Sequence, residues 1–158
     1  MSRDGSITRL WGDAERTFRL GIGEWRKVQE TCDAGPGEIA ARLSTWAAVR
    51  GQHPNSSFLD LLSVGGLGRW RVDDVREPIY RALIGGGMDP TSAGRLLREL
   101  HDERPLMENI DLALAIVLAS LVGPAEEPVG EPQGDRPATV AGSPEESFAS
   151  RTTTGPVQ

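Results

Sequence analysis

The residues able to do chemistry are few and scattered. The 158-residue sequence holds one cysteine, Cys32, and two histidines, His53 and His101. A metal site needs three or four convergent ligands, and the sequence has no His-x-x-x-His pair and no Cys/His cluster. Neither histidine is near Cys32 in sequence, so a Cys–His nucleophile pair is not indicated. His53 falls in a Pro/Asn-rich loop. His101 falls at a predicted helix end, where its cation would favour the C-terminal dipole. Adjacent acids occur at Asp73/Asp74 and Asp102/Glu103, but neighbours on a helix point in different directions and read as solvated helix ends rather than an acid/base pair. Three glycine clusters, Gly21-Ile-Gly23, Gly65-Gly-Leu-Gly68 and Gly85-Gly-Gly87, lack the Lys-Ser/Thr that would follow in a phosphate loop. The tryptophans Trp11, Trp25, Trp46 and Trp70 neighbour arginines in Trp25-Arg26 and Arg69-Trp70-Arg71. Such mixtures stack bases in some proteins, and more often pack in a core. No catalytic residue, cofactor or metal is expected.

Composition points the same way. Apolar residues make up 38% and aromatics 5%, diluted by nineteen glycines and eleven prolines, below the share usual for globular domains. A large cofactor-binding α/β enzyme is therefore not expected. The formal charge of −6 argues against non-specific binding to nucleic acid or to an anionic membrane. A lone thiol fits a reducing cytosol, and the first residues lack the apolar core of a signal peptide. The longest apolar run, Leu112 to Val122, is too short to span a bilayer and reads as a buried helix.

The elements follow from patterning. Ser6–Trp11 and Arg16–Leu20 alternate polar and apolar residues around Gly12-Asp13-Ala14-Glu15, a β-hairpin pattern. Two strands alone are marginal, so the hairpin must lie on helices or pair with another chain. An exposed edge would be a docking surface. Helical spacing follows at Gly23–Cys32 and Glu38–Trp46, with a short helix at Phe58–Leu62 between turn-like and glycine-rich stretches. Val72–Leu83 carries the stripe Val72, Val75, Ile79 and Leu83. Asp89-Pro90 caps a helix with Ala93, Leu96, Leu97 and Leu100 on its apolar face. The last helix, about Leu106–Val122, is apolar on nearly all sides after Asp111, so it is central in the core or completed by a partner. The predicted fold is α+β and mostly helical: an N-terminal β-hairpin on four or five helices (residues 1–122, with 47–68 set apart as an insertion), then a tail. That tail, 123–158, holds six of the eleven prolines and six acids against two arginines. It cannot bury enough apolar surface to offset chain entropy and is expected to be disordered.

Several strings in one order carry a resemblance. Gly5-Ser-Ile-Thr-Arg-Leu-Trp-Gly-Asp13, Thr17-Phe-Arg-Leu-Gly-Ile-Gly-Glu24 and Cys32-Asp-Ala-Gly-Pro36 open it. Trp70-Arg-Val-Asp-Asp-Val-Arg-Glu77, Leu83-Ile-Gly-Gly-Gly-Met88, Asp102-Glu-Arg-Pro105 and Leu118-Ala-Ser-Leu-Val-Gly123 continue it. Over 5–50 and 69–123 the chain resembles the gene-transfer-agent family of phage-like tail proteins. That family is grouped with the tail assembly chaperones and has also been labelled a tail tube protein. The sequence departs from the family pattern between Ala47 and Gly68. The resemblance implies a cytoplasmic, non-enzymatic chaperone that binds the tape measure protein and helps recruit the tail tube protein. Self-association is a further possibility for the same apolar surface. The alternatives are a structural tube subunit, which should carry a large β-sheet, and a small nucleic-acid-binding regulator, which needs a basic face. For partner binding, the all-round apolar helix nominates Leu112, Ile116, Leu118 and Leu121.

Overall fold

A two-stranded antiparallel sheet opens the chain, β1 (Ile7–Trp11) against β2 (Ala14–Phe18). The structure, a computed structural model, describes residues 3–63 and 68–123. The proposed disordered tail beyond Gly123 and the glycines Gly65 and Gly66 lie outside the described residues. Trp11 pairs with Ala14, so the turn is two residues, Gly12 and Asp13, rather than four. Gly12 takes φ +72, the left-handed value a tight hairpin requires at its first loop position. The ladder turns Trp11 and Phe18 inward, where their rings meet edge to face at 5.9 Å. It turns Leu10 outward, 73% exposed, so Leu10 does not share the buried face of Trp11.

Among the described residues six α-helices follow: α1 (Ile22–Cys32), α2 (Pro36–Gln52), α3 (Phe58–Ser63), α4 (Val72–Gly85), α5 (Pro90–Leu97) and α6 (Ile110–Val122). A π-turn over Arg98–Asp102 and a 3-10 turn over Leu106–Asn109 join α5 to α6. The α+β, mostly helical architecture is as expected, and each α-helix falls on a stretch whose patterning predicts one, against the expected total of four or five. Three boundaries differ notably. The second helix begins at Pro36, whose missing N–H costs nothing at the first position. It also runs past Trp46 to Gln52, because the half-buried Val49 packs against the core and Arg50 reaches Asp111 on α6 at 2.5 Å. The stretch from Arg50 that reads as a turn therefore begins only after Gln52. The last helix starts at Ile110, preceded by the 3-10 turn.

Helix α4 is central, touching α1, α2, α5, α6 and β2. Val75, Ile79, Ala82 and Leu83 are all but completely buried, while Val72, the first residue of the predicted stripe, is half exposed. Asp74 closes the N-terminus of α4 by accepting from the Arg71 N–H at 2.8 Å. The same buried carboxylate accepts from the Arg42 guanidinium at 3.2 and 3.3 Å, pinning α2 to α4. Asp89 caps α5 as predicted, accepting from the Ser92 N–H at 2.9 Å.

The hairpin is seated on the C-terminal end of α4. Arg19 donates its N–H to the Ala82 carbonyl at 2.9 Å. A Cβ at Gly85 would lie 2.2 Å from the Arg19 carbonyl oxygen, and one at Gly86 would lie 2.1 Å from that of Thr17. Gly85 and Gly86 are thus more than helix punctuation: they let one backbone approach another. Carbonyl oxygens fill the space that a phosphate would need there.

Candidate docking surface

Helix α6 is apolar on nearly every side, so its neighbours decide which side is buried. It lies against α2 and α4, and Ile110, Ala113, Ile116, Val117 and Ala119 face inward. Leu118 is 40% exposed, Leu121 44% and Val122 82%. With half-buried Leu114 they stand four, three and one residues apart, a continuous stripe along the outer side. The N-terminal end of that side carries Asp111, tied to Arg50. On the other side, the Trp25 indole donates to Ser120 Oγ at 3.1 Å, locking α6 to α1.

Of the four residues nominated from the sequence, Leu118 and Leu121 therefore share an exposed stripe. Leu112 is half-buried, and Ile116 is a core residue at 1% exposure. Val122 was not nominated, although spacing from Leu118 places it on the same side. Helix α3 adds a second apolar surface that sequence reasoning missed: Phe58, Leu59 and Leu62 are exposed and only Leu61 is buried. The signal was four large apolar residues in a six-residue helix, more than one inward face can cover.

The groups considered for chemistry do not converge. Cys32 is buried, its Sγ–H donating to the Asp73 carbonyl at 3.3 Å. Burial, with the negative charges of Asp74, Asp73 and Glu77, raises its pKa to about 12 against the partial opposition of Arg42, so the thiol is not a nucleophile near neutral pH. Of the paired acids, Asp74 serves α4 and Arg42, and Asp102 forms a two-pronged pair with Arg76 at 2.9 and 3.0 Å. Their neighbours Asp73 and Glu103 are exposed.

His101 departs from its predicted role. It is buried, not a cation at a helix end, and burial lowers its pKa from the ordinary 6.5, with Asp102 opposing and Arg76 reinforcing. Its Nδ1 lies 3.2 Å from the Asn109 side-chain N–H. The physical reason is that the π-turn tucks the ring under the 3-10 turn. Among the described residues, no group of three or more His, Cys, Asp or Glu side chains could hold a metal ion, and no helix is long and apolar enough to cross a membrane.

The tryptophans are packing residues: Trp11, Trp25 and Trp46 are buried and Trp70 is partly so. The described residues thus form a mostly helical fold with an uncovered apolar stripe on α6. Residues 55–123 match the family model described as "Phage tail tube protein, GTA-gp10". Over that span the chain is similar to this family of phage tail assembly chaperones, a non-enzymatic family. The match covers α3 to α6 and begins inside the 47–68 segment. No curated protein and no solved structure matches the chain.

Proposed function

We propose that this protein is a cytoplasmic tail assembly chaperone of a prophage or gene transfer agent. It binds the tape measure protein through the outer stripe of α6 and assists tail tube assembly. The observation that carries the reading is Leu118, Leu121 and Val122 standing exposed in one line on a helix otherwise sunk in the core. Covering a fully exposed side chain of this size stabilises a complex by about 1.5–3 kcal/mol, and less for Leu118 and Leu121, which are already more than half buried; an amphipathic partner helix presents matching residues at the same spacing. The acidic 123–158 segment is proposed as a solubilising tether for the 1–122 domain.

The test is co-expression with the neighbouring tape measure protein, comparing the natural chain with a Leu118→Asp/Leu121→Asp variant. Loss of co-purification and of soluble tape measure, with an unchanged melting curve, is the expected result. Full retention of both would end the proposal for α6.

A second reading, a structural tube component, is favoured by the wording of the family description itself. Tube subunits are expected to close a large sheet into a ring, whereas the described residues hold one two-stranded sheet, which supports the chaperone reading. Mass spectrometry of purified particles separates the two: tube-like copy numbers favour the structural role, and absence favours the chaperone.

A further inference from the structure

A groove of about 750 Å³ runs between the hairpin turn and α5. This size is typical of a ligand-binding cleft. Its floor is Leu100, Leu96 and Met88. The turn sits directly on that floor: a Cβ at Gly12 would come within 2.6 Å of Leu100 Cδ1. Three guanidinium groups, those of Arg16, Arg95 and Arg104, stand around it, with the carboxylates of Asp13 and Glu99.

The cations are incompletely used. Arg16 spends one nitrogen on Asp13 at 3.0 Å, and its Nε is buried with no hydrogen-bond partner among the described residues. Arg16 also stands directly across the ladder from Arg9, a like-charge pairing that weakens a sheet. Arg104 makes a 3.4 Å contact from Nε to the Glu99 carbonyl. Arg95 is exposed, and no ion pair or hydrogen bond engages it among the described residues.

We infer that this groove is a docking site for an acidic segment of a partner polypeptide, one that carries leucine-like residues between its carboxylates. Carboxylates on such a segment reach the Arg95 and Arg104 guanidinium groups, with the positive charge of Arg16 beside them. Apolar side chains between them fall on Met88, Leu96 and Leu100. The apolar floor selects this occupant over a nucleic acid: a peptide can set leucine-like side chains on Met88, Leu96 and Leu100 between its carboxylates, whereas a phosphate backbone is charged at every unit. The inference stands apart from the α6 stripe, using different residues and electrostatic rather than apolar attraction.

The probe is a fluorescein-labelled nonapeptide of repeating Glu-Leu-Glu, titrated with the full chain at low salt and read by polarisation. Its control has every Glu replaced by Gln. The expected result is binding of the Glu peptide that weakens at least about tenfold in the Gln control and in an Arg95→Glu/Arg104→Glu variant. Binding should also fall several-fold as salt is raised to about 0.5 M. The milder Arg95→Gln variant should give an intermediate loss, guarding against a folding defect in the double reversal, and melting curves check each chain. Equal affinity for the Glu and Gln peptides, or for the natural chain and the variants, overturns the site. So does displacement by single-stranded DNA at lower concentration than unlabelled peptide. Salt-sensitive self-association abolished by Arg95→Glu would assign the groove to a second copy and overturn it as well. The tape measure protein takes no part in this measurement, so failure here and failure of the α6 reading are separately visible.

Discussion

The Trp11 indole N–H donates to Asn109 Oδ1 across 2.8 Å, although 98 positions separate the two residues. The same amide donates from its nitrogen to the Leu100 carbonyl at 2.9 Å and approaches His101 Nδ1 at 3.2 Å. One buried side chain thus ties the hairpin, the π-turn and the entrance to α6. Asn109→Ala leaves a buried indole N–H and a buried carbonyl without partners, and should cost about 2–3 kcal/mol. Urea unfolding followed by tryptophan fluorescence measures it. Adding Trp11→Phe should cost less than the sum of the two single changes, since both remove the same bond.

His101 makes stability depend on pH. Its folded pKa lies below the ordinary 6.5, chiefly through burial. As pH drops under 6.5 the unfolded chain takes up a proton that the folded chain resists, so stability should fall with pH there and be fully present above it. The slope cannot exceed about 1.4 kcal/mol per pH unit for one proton. Unfolding curves between about pH 5 and 7.5 should show it, and His101→Gln should flatten it.

Two glycines in helices should respond to alanine with opposite signs. At Gly86 the added methyl meets the Thr17 carbonyl oxygen, as at Gly85 it meets that of Arg19. Both are backbone atoms of the strand side and cannot swing away. Gly85→Ala should destabilise by about 1–3 kcal/mol or more. Gly51→Ala, near the end of α2 with nothing within 4 Å of the new methyl, should stabilise by about 0.4–1 kcal/mol. Thermal melts of both variants decide the matter.

Cys32 should resist alkylation. With its pKa raised from 9.0 to about 12 by burial and three nearby acids, its thiolate is on the order of a thousandfold scarcer near neutral pH than that of a free thiol. Iodoacetamide labelling should be slow in buffer and rise to the free-thiol rate in unfolding urea. Fast labelling of the folded chain would contradict the burial.

Elements fixed by near neighbours were legible from sequence. The Val75–Ile79–Leu83 spacing placed α4, Asp89-Pro90 started α5, and alternation around Gly12 drew the hairpin. Each is a local pattern, because helix and strand periods and cap bonds involve residues a few positions apart. The candidate site was half legible. Leu118 and Leu121 were among the nominated residues, but so was Ile116, since a helix apolar all round has no moment to say which side faces water.

The sequence by itself settled which segments coil and which pair. Tertiary structure alone decided that α2 and α4 would cover Ile116 and leave Leu118 bare, and that Gly85 and Gly86 would receive a strand rather than merely end a helix. It also decided that His101 would be neutral beneath Asn109. These outcomes depend on contacts between residues tens of positions apart. Burial, not local preference, sets exposure, close approach and charge state there.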